Sequence, residues 1–111
     1  MSDQTINNGV LKHAELSSKF TNVFLYQFAY DGKMGHYEGF IKNAGRVGHI
    51  EDMNYIWRRN TASVNNLDLS LFPENDKMVQ KRMLRLYTNF AKYLNPTPKK
   101  DPLFENIEWT P

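Results

Sequence analysis

The chain contains no cysteine. That excludes a disulfide scaffold and a thiolate metal site, and it leaves the redox compartment unreadable. No apolar run reaches the roughly 18 residues of a membrane span. Neither charge sign dominates: 14 basic against 12 acidic residues give a net charge of +2. Arg58-Arg59 and Lys99-Lys100 are isolated basic pairs of the kind found at solvated ends, so composition makes no case for a nucleic-acid partner. Residues 1–20 are polar, and no signal peptide is expected to open at Met1. The single Asn-x-Thr sequence, at Asn95, is spoiled as a glycosylation acceptor by Pro96. Internal repeats and low-complexity segments are also lacking. So is one catalytic part: the five serines are Ser2, Ser17, Ser18, Ser63 and Ser70, and none stands in a G-x-S-x-G elbow.

What is present is enough for one packed unit. The 111 residues are 41% hydrophobic and 14% aromatic, too apolar for a compositionally disordered chain. Val10, Leu11, Ala14, Leu16 and Phe20 form an imperfect helical stripe. "TNVFLYQFAYDG" then gives the best strand signal, over Val23–Tyr30. Val23, Leu25 and Ala29 point to one face, and Phe24, Tyr26, Phe28 and Tyr30 to the other. Residues 32–48 hold five of the six glycines and no sustained period, so they read as a long loop. Glu51 and Asp52 open a short helix and Arg58-Arg59 close it, the charge order that the helix dipole favours. After a second loop, from Asn60 to Pro73, comes the strongest helix. Asn75 or Asp76 is placed to cap it. Val79, Met83, Leu86, Phe90 and Leu94 stack on one face, and Asn95-Pro96-Thr97-Pro98 ends it. "NIEW" at 106–109 reads as a short last strand.

A strand apolar on both faces belongs inside a parallel sheet with helices on each side. Here it has no partner strand of comparable strength. Buried backbone groups left unpaired cost on the order of 1–3 kcal/mol each. The strand is therefore expected to lie between neighbours supplied by other chain, and the 111 residues to be a portion of a larger fold that needs its remainder for stability.

His49, in "GRVGHIEDMNYIW", is the residue with the most chemistry to offer. Three readings are open: a loop imidazole, a metal ligand, or a general base. His49, Glu51 and Asp52 are too close in sequence to close a metal site alone, and His13 and His36 show no ligand spacing. A glycine-flanked loop beside a sheet suits a base brought close to a reacting centre. The nucleophile for that base is missing.

"GRVGHIEDMNYIW" resembles the histidine loop of the type-B carboxylesterases, which are α/β-hydrolases, and insect carboxylesterases and juvenile-hormone-esterase-like enzymes in particular. "HAELSSKFTNVFLYQFAYDG" is similar to their helix and strand before that loop, "RMLRLYTNFAKYLNPTP" to their C-terminal helix, and "DPLFENIEWTP" to their closing segment. The resemblance covers essentially the whole chain in the same order. Two positions depart from the family pattern. Ile50 stands where a small residue is usual, and Tyr87, in "YTNFAK", where Trp is common.

The resemblance implies an α/β fold class, with residues 1–111 the C-terminal portion of an α/β-hydrolase: one core strand, the histidine loop and a long C-terminal helix. It implies a serine carboxylic ester hydrolase acting on a small-molecule ester, without metal or organic cofactor and without a membrane span, in a parent that is secreted or extracellular. His49 takes the place of the triad histidine, while the serine, the acid and the oxyanion-hole glycines lie upstream. Asp52, matching an acidic position of the family, is expected to cap the following helix. His13 and His36 read as structural or exposed, and the aromatics of 24–30 as core. The alternative is a non-catalytic, esterase-like adhesion protein that keeps the fold and binds partners with its surface.

Overall fold

The computed structural model describes residues 7–35, 47–48, 50–58 and 67–111. Among the described residues the elements are α1 (Asn8–Ser17), α2 (Met53–Ile56) and α3 (Glu74–Tyr93), with 3₁₀ turns at Leu69–Leu71 and Pro102–Phe104. α3 is the frame. It runs 20 residues without an internal glycine or proline, carries Glu74 and Asp76 in its first turn and Lys92 in its last, and so fits its own dipole. Leu94, left-handed at φ 54°, ends it just before Pro96.

The core is small. Met34, Tyr55 and Met83 are its buried apolar residues, ringed by Phe28, Tyr30, Ile56, Leu69, Phe72 and Val79. α2 packs on α3 at this point. The expected α3 stripe is thus divided: Val79 and Met83 meet the core, and Leu86 and Phe90 line an apolar groove. Leu94 lies outside the stripe, because the left-handed turn swings it into solvent. α1 buries none of its residues.

The expected core strand over Val23–Tyr30 is not formed as a strand. Residues 22–32 carry neither helix nor ladder, and no strand occurs among the described residues, those of 106–109 included. The reason is topological: a strand is defined by a neighbour, and no described segment lies alongside to pair with this one. Its period of two survives nonetheless. Phe24 packs edge-on to Phe90 and Trp109, Tyr26 to Tyr87 and Trp109, Phe28 tilts on Tyr55, and Tyr30 meets Tyr55 edge-on, with centroids 5.2–6.4 Å apart. Such pairs contribute about 0.5–1.5 kcal/mol each beyond the area they bury.

The C-terminal tail folds back over the end of α3. Asn89 Nδ2 donates to the Pro96 carbonyl at 2.9 Å, Thr97 N to Asn95 Oδ1 at 2.8 Å, and Trp109 N to Thr97 Oγ1 at 2.7 Å. These bonds seat the Trp109 ring against Phe24 and Tyr26. They close one end of the groove of about 480 Å³ that runs between residues 24–30 and α3.

Candidate active site

His49 lies outside the described residues, as do His36 and Arg59. The residues on either side of His49 are tightly specified. Glu51 is buried, and its Oε1 accepts the Gly48 N–H at 2.8 Å. A β-carbon on Gly48 would stand 3.0 Å from that same oxygen, and one on Gly35 3.0 Å from Glu51 Oε2. Both positions are therefore tight, and a larger residue at either would need the Glu51 carboxylate to shift by a few tenths of an ångström. Ile50 has φ 66°, in the left-handed region that a β-branched side chain disfavours by about 1–2 kcal/mol. A small residue suits this position because it would carry less of that cost. Ile50→Gly should raise stability by about 1 kcal/mol, the relief of strain less the extra chain entropy of glycine. Equilibrium urea unfolding checks this, and a lower midpoint for the variant would refute the strain.

From Ile50 the backbone closes turn upon turn. Met53 N donates to Ile50 O at 3.1 Å, Asn54 N to Glu51 O at 3.1 Å, and Tyr55 N to Asp52 O at 3.0 Å. α2 then anchors the turn from below. Tyr55 is wholly buried, and its hydroxyl accepts the Gly35 N–H at 3.2 Å. Its phenol is pushed well above the ordinary tyrosine value, by burial first and then by the Asp76 charge.

The two acids expected as helix caps do other work. Asp52 occupies the N-cap position of α2, but its carboxylate makes no cap bond. Instead Asp52 Oδ2 accepts the Tyr26 hydroxyl at 2.8 Å, and Tyr26 Oη lies 2.6 Å from Tyr87 Oη. Pro73, with φ −58°, occupies the N-cap position of α3, and neither Asn75 nor Asp76 caps it. Asp76 turns inward instead, 2% exposed. It accepts the Met34 N–H at 2.6 Å and the Tyr30 hydroxyl at 2.9 Å. The phenols of Tyr26 and Tyr30 are raised above the ordinary range, in both cases by desolvation first and then by these bonds. A β-carbon on Gly32 would collide with the Tyr30 ring and lie 2.5 Å from the Tyr55 hydroxyl and 2.7 Å from Asp76 Oδ1.

Two tyrosine–carboxylate ties therefore cross the fold: Tyr30–Asp76 joins the extended segment to α3, and Tyr26–Asp52 joins it to the residue before α2. Sequence reasoning took these tyrosines as core rings, whereas Tyr26 is 41% exposed and Tyr30 half-buried, and it missed their hydroxyls. The one signal available was Tyr87, an unusual hydroxyl at a position where the family commonly has Trp. Among the described residues no three His, Asp or Glu side chains gather as metal ligands, and no helix is long and apolar enough to cross a membrane.

The "Carboxylesterase family" profile matches residues 1–111. Juvenile hormone esterase of Tribolium castaneum is 29% identical over 93 residues, covering 78% of this chain and 14% of that protein. Juvenile hormone esterase of Heliothis virescens is 35% identical over 77 residues, covering 68% of this chain and 13% of that protein. The chain thus spans about one-seventh of the length of the curated relatives it matches. No solved structure matches it. The chain belongs to the carboxylesterase family, whose fold is the α/β-hydrolase fold.

Proposed function

We propose that residues 1–111 are the C-terminal portion of a type-B carboxylesterase domain and that His49 is the histidine of its serine-esterase triad, with nucleophile and acid upstream. The observation that carries this is the family match over the whole chain, taken with the family's histidine-loop pattern at "GRVGHIEDMNYIW". The turn around His49 supports it. Before His49 in sequence the Gly48 N–H is bonded to the buried Glu51, and after it Ile50 is held left-handed, constraints suited to presenting a side chain at a fixed place.

The surface supports the same reading. The chain exposes 8642 Å², against about 6300 Å² for a compact protein of 13.0 kDa. Phe20, Trp57, Leu71 and Ile107 are each more than half exposed. Together with an extended segment whose rings interdigitate but whose backbone has no ladder, this is the surface of a piece that the rest of an α/β-hydrolase covers.

The chemistry is that of a serine triad. An imidazole with a pKa of about 6.5 is largely neutral at neutral pH. One nitrogen of His49 takes the proton of the upstream serine as that oxygen attacks the ester carbonyl. The other nitrogen donates to the upstream acid, which fixes tautomer and orientation. His49 then protonates the departing alcohol, and in the second half it activates water to release the carboxylic acid. The substrate is a small-molecule carboxylic ester. The two named relatives are juvenile hormone esterases.

The test compares two proteins. The 111-residue chain alone should hydrolyse an aryl ester no faster than free imidazole. An extended chain that restores a G-x-S-x-G serine should turn the ester over and be titrated by a serine-directed organophosphate. Organophosphate-titratable turnover by the 111 residues alone would overturn the assignment.

A further inference from the structure

We propose that Tyr26 is a positioning residue of the esterase: backed by Tyr87, it grips Asp52 and through Asp52 fixes the turn over residues 50–56 that follows His49 in sequence. The inference rests on the reading of His49 given above.

Proton counting sets the direction of the chain of bonds. A phenol has one hydrogen to give. The Tyr26 O–H gives its hydrogen to Asp52 Oδ2 at 2.8 Å, so the 2.6 Å contact between hydroxyls must be Tyr87 donating to Tyr26. The order is Tyr87 to Tyr26 to carboxylate. Each donor polarises the next, and the end on an ionised acceptor makes this a charge-assisted chain, stronger than a pair of isolated phenol bonds. The three residues come from three separate places in the sequence: the extended segment, the residue before α2, and the face of α3. Both tyrosine rings are already fixed, Tyr26 between Tyr87 and Trp109, so the hydroxyls are pre-aimed.

Asp52 is the residue on which this acts. It stands three residues after His49 and two after the left-handed Ile50. Its carboxylate makes no cap bond to α2, so the tie to Tyr26 is what anchors its side chain across the fold. The Gly48–Glu51 bond closes the turn on itself, but it does not orient the turn against α3. The buried Tyr55 seats α2 on α3, and the Tyr87–Tyr26–Asp52 chain adds a second attachment to α3 at the N-terminal end of α2, nearer in sequence to His49. A triad histidine displaced by about 1 Å can lose about 10²-fold in rate. A partial loosening should therefore show in kcat rather than in substrate affinity.

The experiment uses the longer, active esterase that contains these residues, with active sites counted by organophosphate titration. Tyr26→Phe keeps the ring and removes the middle of the chain. It should lower kcat per active site about tenfold with KM within about twofold, and Tyr87→Phe should have a smaller effect of the same kind. Asp52→Ala should match Tyr26→Phe, while Asp52→Asn, whose carbonyl can still accept from Tyr26, should recover most of the loss. Amide exchange over residues 50–56 should quicken about tenfold in Tyr26→Phe. If His49→Ala abolishes turnover while Tyr26→Phe leaves kcat unchanged, the positioning role is wrong and the triad assignment stands. If His49→Ala leaves turnover intact, the triad assignment has failed. The exchange measurement then decides alone, and unchanged exchange overturns the tie as well.

Discussion

Replacing His49 with alanine in the longer esterase should lower kcat by about 10⁴-fold or more and leave KM close to that of the parent. The size follows from what the imidazole does. In the proposed mechanism it removes the serine proton in one half of the cycle, protonates the leaving alcohol, and activates water in the other half, so every chemical step would pass through it. Ground-state binding of the ester does not use it, and KM should hold. Neither neighbour can substitute. Glu51 is buried and committed to the Gly48 N–H, and the Asp52 carboxylate is committed to Tyr26. Residual turnover would come from oxyanion stabilisation and binding alone. Steady-state kinetics normalised to correctly folded protein measures the effect. A loss smaller than tenfold in a folded variant would move His49 to a structural role and take the proposed mechanism with it.

What could be read in the chain before its structure divides by range of interaction. α3 was legible because its causes are local: a stripe at spacings of three and four, acids first and a base last, proline beyond. The alternation of 23–30 was legible for the same reason, and it survives as a row of rings facing α3 and Tyr55 even though no ladder forms among the described residues. The acids were misread. Asp52 and Asp76 sit where local rules expect caps, and both are drawn instead to hydroxyls 26 and 46 residues earlier. Pro73 made the difference at α3, since its fixed φ starts the helix at Glu74 and makes Asp76 the third helical residue, facing inward. No local pattern announces such partners. Ile50 was noticed as a departure from the family, but the cost it carries became visible only with its backbone angle. The reading of His49 as a triad histidine rests on resemblance and not on geometry, since His49 lies outside the described residues.

Asp76→Ala should be the most damaging substitution for stability, costing about 3–5 kcal/mol. The carboxylate is 2% exposed and holds two donors, the buried Met34 N–H at 2.6 Å and the half-buried Tyr30 hydroxyl at 2.9 Å. Truncation strands both, and each stranded buried donor costs about 1–3 kcal/mol. A favourable charge in the first turn of α3 is lost as well, worth about 0.3–1 kcal/mol. The damage should spread, because Met34 and Tyr55 belong to the buried apolar core of the described residues and both stand beside this carboxylate. Tyr30→Phe removes only the second donor together with its need for a partner, so it should cost roughly 1 kcal/mol. The contrast between the two separates a buried acceptor that organises a core from a hydroxyl that merely uses it. Equilibrium urea unfolding of the longer esterase gives both numbers, with soluble yield as the readout if Asp76→Ala does not accumulate folded. Equal, small losses for the two variants would mean that the Met34 amide finds another acceptor and that this carboxylate is not what ties residues 30–35 to α3.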